Sequence, residues 1–130
     1  MSNGHRENGH REFVARWAAF WAAPDQARLG GLAASDIVLR WPGRPEPIRG
    51  LAAWAEQVAG ALGRFPDLRL EVVADAASGG TSFIAWRAAA TVDGRPLRWE
   101  GVDRMELRDG LVAESTVVFD TAALRAGAAG

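Results

Sequence analysis

Apolar residues recur along this chain with two different periods, and the period changes near the middle. Within residues 11–23, Phe13, Trp17, Phe20 and Trp21 fall at i, i+4, i+7 and i+8, the spacing of one helical face. Pro24 and Asp25 punctuate that segment, and a second short helix is expected through Ala34, weakened by Gly30 and Gly31. Ile37, Leu39 and Trp41 alternate as one face of a short strand. Residues 42–47 carry three prolines and a glycine, cannot continue a strand, and read as a loop. Leu51, Trp54, Val58, Leu62 and Phe65 mark a third helix at spacings of three and four. Past Pro66-Asp67 the period drops to two, with Leu68, Leu70, Val72 and Ala74 alternating with Arg69, Glu71, Val73 and Asp75. Ser78-Gly79-Gly80 makes a turn, and residues 81–92 form a long strand. Asp93-Gly94 and Asp109-Gly110 are hairpin signals, and residues 111–119 are the last strand. The expected plan is three helices, with the first strand among them, followed by four consecutive antiparallel strands. A single domain is expected over residues 11–125. Residues 1–10 form a flexible tail or the start of the first helix, and residues 126–130 a flexible C-terminal tail.

The first hairpin sets a register. With Asp93 and Gly94 as its two loop residues, Val92 faces Arg95, Ala90 faces Leu97, Ala88 faces Trp99, Trp86 faces Gly101, and Ile84 faces Asp103. These pairs share one nearly apolar face. The opposite face pairs Arg87 with Glu100 and Phe83 with Arg104. In the second hairpin, burial of Leu111, Ala113, Ser115, Val117 and Phe119 favours a three-residue loop with a bulge. That register makes Val117 the neighbour of Asp103 and leaves Glu114 solvated. A two-residue loop would instead bring Glu114 and Thr116 to the face of Asp103.

Asp103 is the one charge on the apolar face of the strand that holds it. Such a carboxyl either has a fixed structural partner or has its ionised form destabilised by lost hydration. In the second case it can give and take protons near neutrality.

Composition narrows the chemistry. The chain has 130 residues, enough for one core, a net charge of −1, and no basic run, which argues against nucleic acid as the main partner. No apolar run reaches membrane-spanning length and no signal-peptide layout opens the chain, so a cytoplasmic location is expected. Cysteine, lysine and tyrosine are absent, which excludes thiol nucleophiles, thiolate metal sites, lysine Schiff bases and tyrosine donors. His5 and His10 sit in a glycine-rich segment without a structured ligand set, so no metal role is expected of them.

Short stretches throughout the chain carry a resemblance. They are Trp41-Pro42-Gly43, Ile48-Arg49-Gly50, Phe65-Pro66-Asp67-Leu68-Arg69-Leu70, Trp99-Glu100-Gly101-Val102-Asp103, Leu107-Arg108-Asp109-Gly110-Leu111-Val112, and Phe119-Asp120. With these the chain resembles the SnoaL-like polyketide cyclases of the nuclear transport factor 2-like superfamily. The resemblance implies an α+β, cone-shaped fold: three N-terminal helices packed on a strongly curved, mainly antiparallel sheet. It implies a cofactor-independent reaction in which the residue matching Asp103 is the general acid and base. The family's histidine on the preceding strand has no counterpart here. In the related ketosteroid isomerases the aspartate base would fall on Trp41, and their tyrosine is missing. In limonene-epoxide-hydrolase-like proteins the last aspartate of the set would fall on Val117.

Six tryptophans are many for this length. Trp17, Trp21 and Trp54 are read first as packing residues, with Trp17 and Trp54 also touching a ligand pocket. Trp41, Trp86 and Trp99 share the inward face near Asp103 and are expected to wall that pocket, with Leu39, Met105, Val117 and Phe119 beside them. Rigid indoles suit a flat polyketide- or terpenoid-like ligand. Two functions follow. One is a cyclisation, isomerisation or dehydration of an apolar oxygenated small molecule by proton transfer at Asp103. The other is a non-catalytic module that binds apolar ligands or acts as an accessory subunit. The outer sheet face, with Phe83, Ala85, Arg87, Ala89 and Val102, is too apolar to be wholly solvated, which predicts a homodimer.

Overall fold

A computed structural model describes residues 2–119, with side chains from Gly9 onward. Helix α1 spans Ser2–Ala22, followed by a 3-10 helix at Gln26–Gly31. Strands β1 (Ala33–Arg40) and β2 (Ile48–Arg49) lead into helix α2 (Leu51–Arg64). Strands β3 (Arg69–Ser78), β4 (Thr81–Val92), β5 (Arg95–Arg108) and β6 (Leu111–Phe119) complete one sheet in the order β2-β1-β6-β5-β4-β3. This is the expected three helices and four consecutive antiparallel strands. The segment read as tail or helix start lies in α1, while the expected C-terminal tail falls outside the described residues.

Strand β1 joins the sheet beside β6, and that pairing alone is parallel. The second helix is shorter than expected. Asp25 caps it by accepting the amide N–H of Ala27 at 3.0 Å, and Ala33 and Ala34 already belong to β1, buried in the core.

The β4–β5 ladder has every predicted pair, from Val92 with Arg95 through Ile84 with Asp103. Asp93 and Gly94 take φ of 51° and 75°, the left-handed pair that joins twisted strands. The second hairpin differs from expectation in its means. Asp109 and Gly110, at φ 54° and 77°, form a two-residue turn of the same kind. Leu107 then pairs with Val112 but Glu106 with Glu114, so Ala113 is the extra residue of a bulge. That bulge reverses the parity. Val112 points inward before it, and Ser115 and Val117 point inward after it, while Glu114 stays exposed. Val117 therefore sits opposite Asp103 as expected, without the longer loop.

A second bulge lies in β3, between Val72 and Ala74. The simple alternation predicted Ala74 inside. Instead Val73 is extruded at 53% exposure, Ala74 pairs with Ala85 on the outer face, and Asp75 pairs with the wholly buried Ile84. Asp75 thereby turns toward α1. There His10 bridges two strands, its Nε2 2.8 Å from Asp75 Oδ1 and its Nδ1 2.8 Å from Ser82 Oγ. His10, Phe13, Trp17 and Phe20 are the buried edge of α1, which lies across the concave side of the sheet. Apolar burial of this kind drives the docking, at about 25 cal/mol per Å2 removed from water.

Candidate functional site

The concave face of the sheet and the two α-helices enclose a cavity of about 370 Å3, within the range that holds small organic ligands. Strand alternation determines what lines it. Leu39 from β1, Met105 from β5 and Val117 from β6 supply aliphatic surface, as expected. Trp41, Trp86, Trp99 and Phe119 form aromatic walls, and Trp17 and Trp54 reach in from α1 and α2. Phe119 links two of the indoles, edge-on to Trp41 at 6.1 Å and tilted against Trp86 at 5.9 Å between ring centres.

Asp103 opens into this cavity from β5. Trp86 Nε1 donates to its Oδ1 at 3.0 Å, and the indole of Trp17 is its second donor. Trp86 and Asp103 are diagonal neighbours across the β4–β5 ladder, a spacing that only a large side chain bridges. Burial pushes the Asp103 carboxyl up to about 7, because the apolar walls deny the ionised form its hydration. The two indole N–H groups pull in the opposite direction and only partly offset this. Near neutral pH the group therefore holds both protonation states in comparable amounts, which suits a proton donor or acceptor. An indole can only donate, so Oδ1 is fixed as an acceptor.

Several lining residues were not singled out from the sequence. Ser115, 3% exposed, has the inward parity of Val117 and lines the cavity. Trp21, expected first as a packing residue, lines the cavity with its Nε1 buried and unpartnered, as is that of Trp41. Glu56, Gly60 and Arg64 run along one edge of α2 at the rim, their i, i+4, i+8 spacing being the signal available. The residues weighed as possible helpers of Asp103 lie elsewhere. Glu114 pairs with Arg40 on the surface, and Thr116 sits opposite the outward-facing Arg104. Arg87 bridges Glu100 at 3.2 Å and Glu71 at 3.4 Å on the outer face. Among the described residues no group of three or more His, Asp or Glu stands close enough to hold a metal ion. No helix there is long and apolar enough to cross a membrane.

The family profile of the SnoaL-like domain matches residues 14–115, which takes in the cavity and Asp103. The chain belongs to the SnoaL-like domain family. Solved structures share its fold, the cone of the nuclear transport factor 2-like proteins. A proposed SnoaL-like polyketide cyclase from Jannaschia sp. CCS1 superposes with a TM-score of 0.81 at 18% identity, over 92% of this chain and 91% of that one. IdmH, a proposed polyketide cyclase from Streptomyces antibioticus, gives 0.81 at 21% identity, over 93% and 99%. AclR, a proposed hydroxylase from Streptomyces galilaeus, gives 0.70 at 23% identity, over 95% and 94%. Among curated proteins no sequence matches the chain. At these identities the neighbours establish a shared architecture alone.

Proposed function

We propose that this SnoaL-like protein is a small enzyme that binds an apolar, oxygenated molecule of polyketide or terpenoid type in the cytoplasm. Asp103 moves a proton to or from that molecule in a cyclisation, isomerisation or dehydration, without a cofactor. The observation that carries this reading is the carboxyl itself: it faces a ligand-sized cavity, receives indole donors, and is held near pKa 7. Holding the substrate against this group in a reactive pose adds the advantage of proximity, on the order of 7–11 kcal/mol at best. The names of IdmH and of the Jannaschia protein fit a substrate of this class. The test is Asp103→Asn, assayed on polyketide and terpenoid candidates with wild type alongside. Asparagine keeps the shape and the acceptor at Oδ1 but cannot exchange a proton, so turnover should vanish while binding persists. Full activity in that variant removes Asp103 from the mechanism.

A ligand carrier is the second reading, favoured by one observation: the donors on Asp103 are indoles, which cannot relay a proton onward. Carboxyl NMR separates the two, since a carrier has no need of titration near neutrality and an ordinary aspartate midpoint would favour it. For the outer face we propose pairing with a second copy. Val73, Val102 and Val118 stand 53%, 41% and 64% exposed there, unusual for valine in a sheet. Sedimentation that finds only monomer at micromolar concentration would count against this.

A further inference from the structure

We infer that Gly101 is a positioning residue for the site: its missing side chain is the seat that lets the Trp86 indole reach Asp103. Gly101 is the residue opposite Trp86 in the β4–β5 ladder and lies two positions before Asp103 on the same inward face of β5. A Cβ built there would lie 2.4 Å from Cζ2 and 2.7 Å from Cη2 of the Trp86 ring. Both distances are far inside van der Waals contact, so the indole occupies the volume that any other residue would need. A glycine in mid-strand contributes no packing of its own and carries an entropic penalty, and such a position marks a close approach. Here the close approach belongs to an aromatic ring whose N–H ends 3.0 Å from the carboxyl. A shallow hollow on the outer face reaches Trp86 through the same gap, with Gly101 beside it.

The seat has a second wall. The same Cβ would stand 2.8 Å from Cβ of Phe119, the β6 partner of Gly101. Phe119 Cβ is tied to backbone, so alanine at 101 must both ease β5 from β6 by a few tenths of an ångström and displace the indole, which is the deeper clash. The ring is the more movable of the two, since it borders open cavity. Its displacement removes the donor that holds down the proton affinity of Asp103, and the acid then titrates higher. The inference rests on Asp103 being the reacting acid, but its test reads the carboxyl directly and needs no substrate.

The test is a double-mutant cycle of Gly101→Ala and Trp86→Phe, followed by carboxyl NMR of Asp103 and by the indole N–H resonances. Phenylalanine lacks both the N–H and the colliding ring atoms. Trp86→Phe should move the Asp103 midpoint upward by about one pH unit. Gly101→Ala should move it by a comparable amount and shift the Trp86 N–H from its hydrogen-bonded position, and the double variant should add nothing further. A folded Gly101→Ala protein with an unmoved Asp103 midpoint overturns the inference, as does a Trp86→Phe protein whose midpoint stays in place. If Gly101→Ala alone fails to fold, recovery of the fold in the double variant supports the seat. Failure of both shows that the glycine serves the Phe119 contact instead.

Discussion

Two aspartates lie on the concave side of one sheet, and their surroundings could hardly differ more. Asp75 meets the imidazole of His10, which is anchored in turn by Ser82, and its side chain keeps 40% of its surface in contact with water. Both ring nitrogens of His10 have a partner, and the cluster ties α1 to β3 and β4. Asp103 has neutral indole donors on one side and a cavity on the other. The first arrangement spends its polar groups on holding the helix in place. The second leaves an acid short of hydration, which is unfavourable for the fold and useful for proton transfer. A carboxyl on the concave face is thus no indicator of function by itself; what distinguishes the two is whether it meets an ionisable partner and water or faces an apolar space.

The sharpest way to break this contrast is to neutralise each acid in turn. Asp103→Asn should reduce turnover by about 10²- to 10⁴-fold, the usual weight of a general acid or base, whereas Asp75→Asn should leave the rate of the folded protein unchanged. Equal losses in both would end the distinction.

Stability against pH comes next. The folded pKa of Asp103 lies above its ordinary value of 3.8, so its contribution is fully present below about 3.8 and is lost as pH rises through about 7. The Asp103→Asn protein should therefore be the more stable one at pH 8, by up to about 4 kcal/mol, and lose that advantage toward pH 4. Thermal melts at the two pH values check it, and a variant equally or less stable at pH 8 contradicts the burial argument. His10→Ala should show the opposite character. Loss of two hydrogen bonds and a stranded Ser82 hydroxyl should cost about 2–3 kcal/mol, with the Asp103 titration unaltered. The smallest effect belongs to the surface. Arg87→Ala, which breaks the outer-face pairs with Glu71 and Glu100, should change stability by less than about 1 kcal/mol, as exposed ion pairs do.

Much of this was legible in the residues because it is local. Asp93-Gly94 determines a turn, the turn sets a register, and the register places Trp86, Gly101 and Asp103 together on the apolar face. The bulge at Val73 was not legible in the same way, and the one expected in the second hairpin lies within the strand at Ala113 and not at a longer loop. Each inverts the alternation partway along a strand, and nothing short of the neighbouring strand's packing reveals where. Val73 is the instructive one, since it turns Asp75 inward against the plain pattern. The His10 cluster depends on contacts across 65 and 72 residues, which no window along the chain can sense. The role of Trp86 lay between these extremes: its place was predicted, but its N–H was read as wall and not as a donor to the acid.

The parallel contact between β1 and β6 has a consequence for assembly. β6 is the last of the described strands to leave the ribosome, yet it stands in the middle of the sheet and brings Ser115, Val117 and Phe119 to the chamber. Until it inserts, β1 and β2 have no edge to join, and the half-built protein is a trough without its far wall. Completion of the sheet and of the cavity wall are then one event, late in synthesis and dependent on distant segments meeting, a topology that folds slowly.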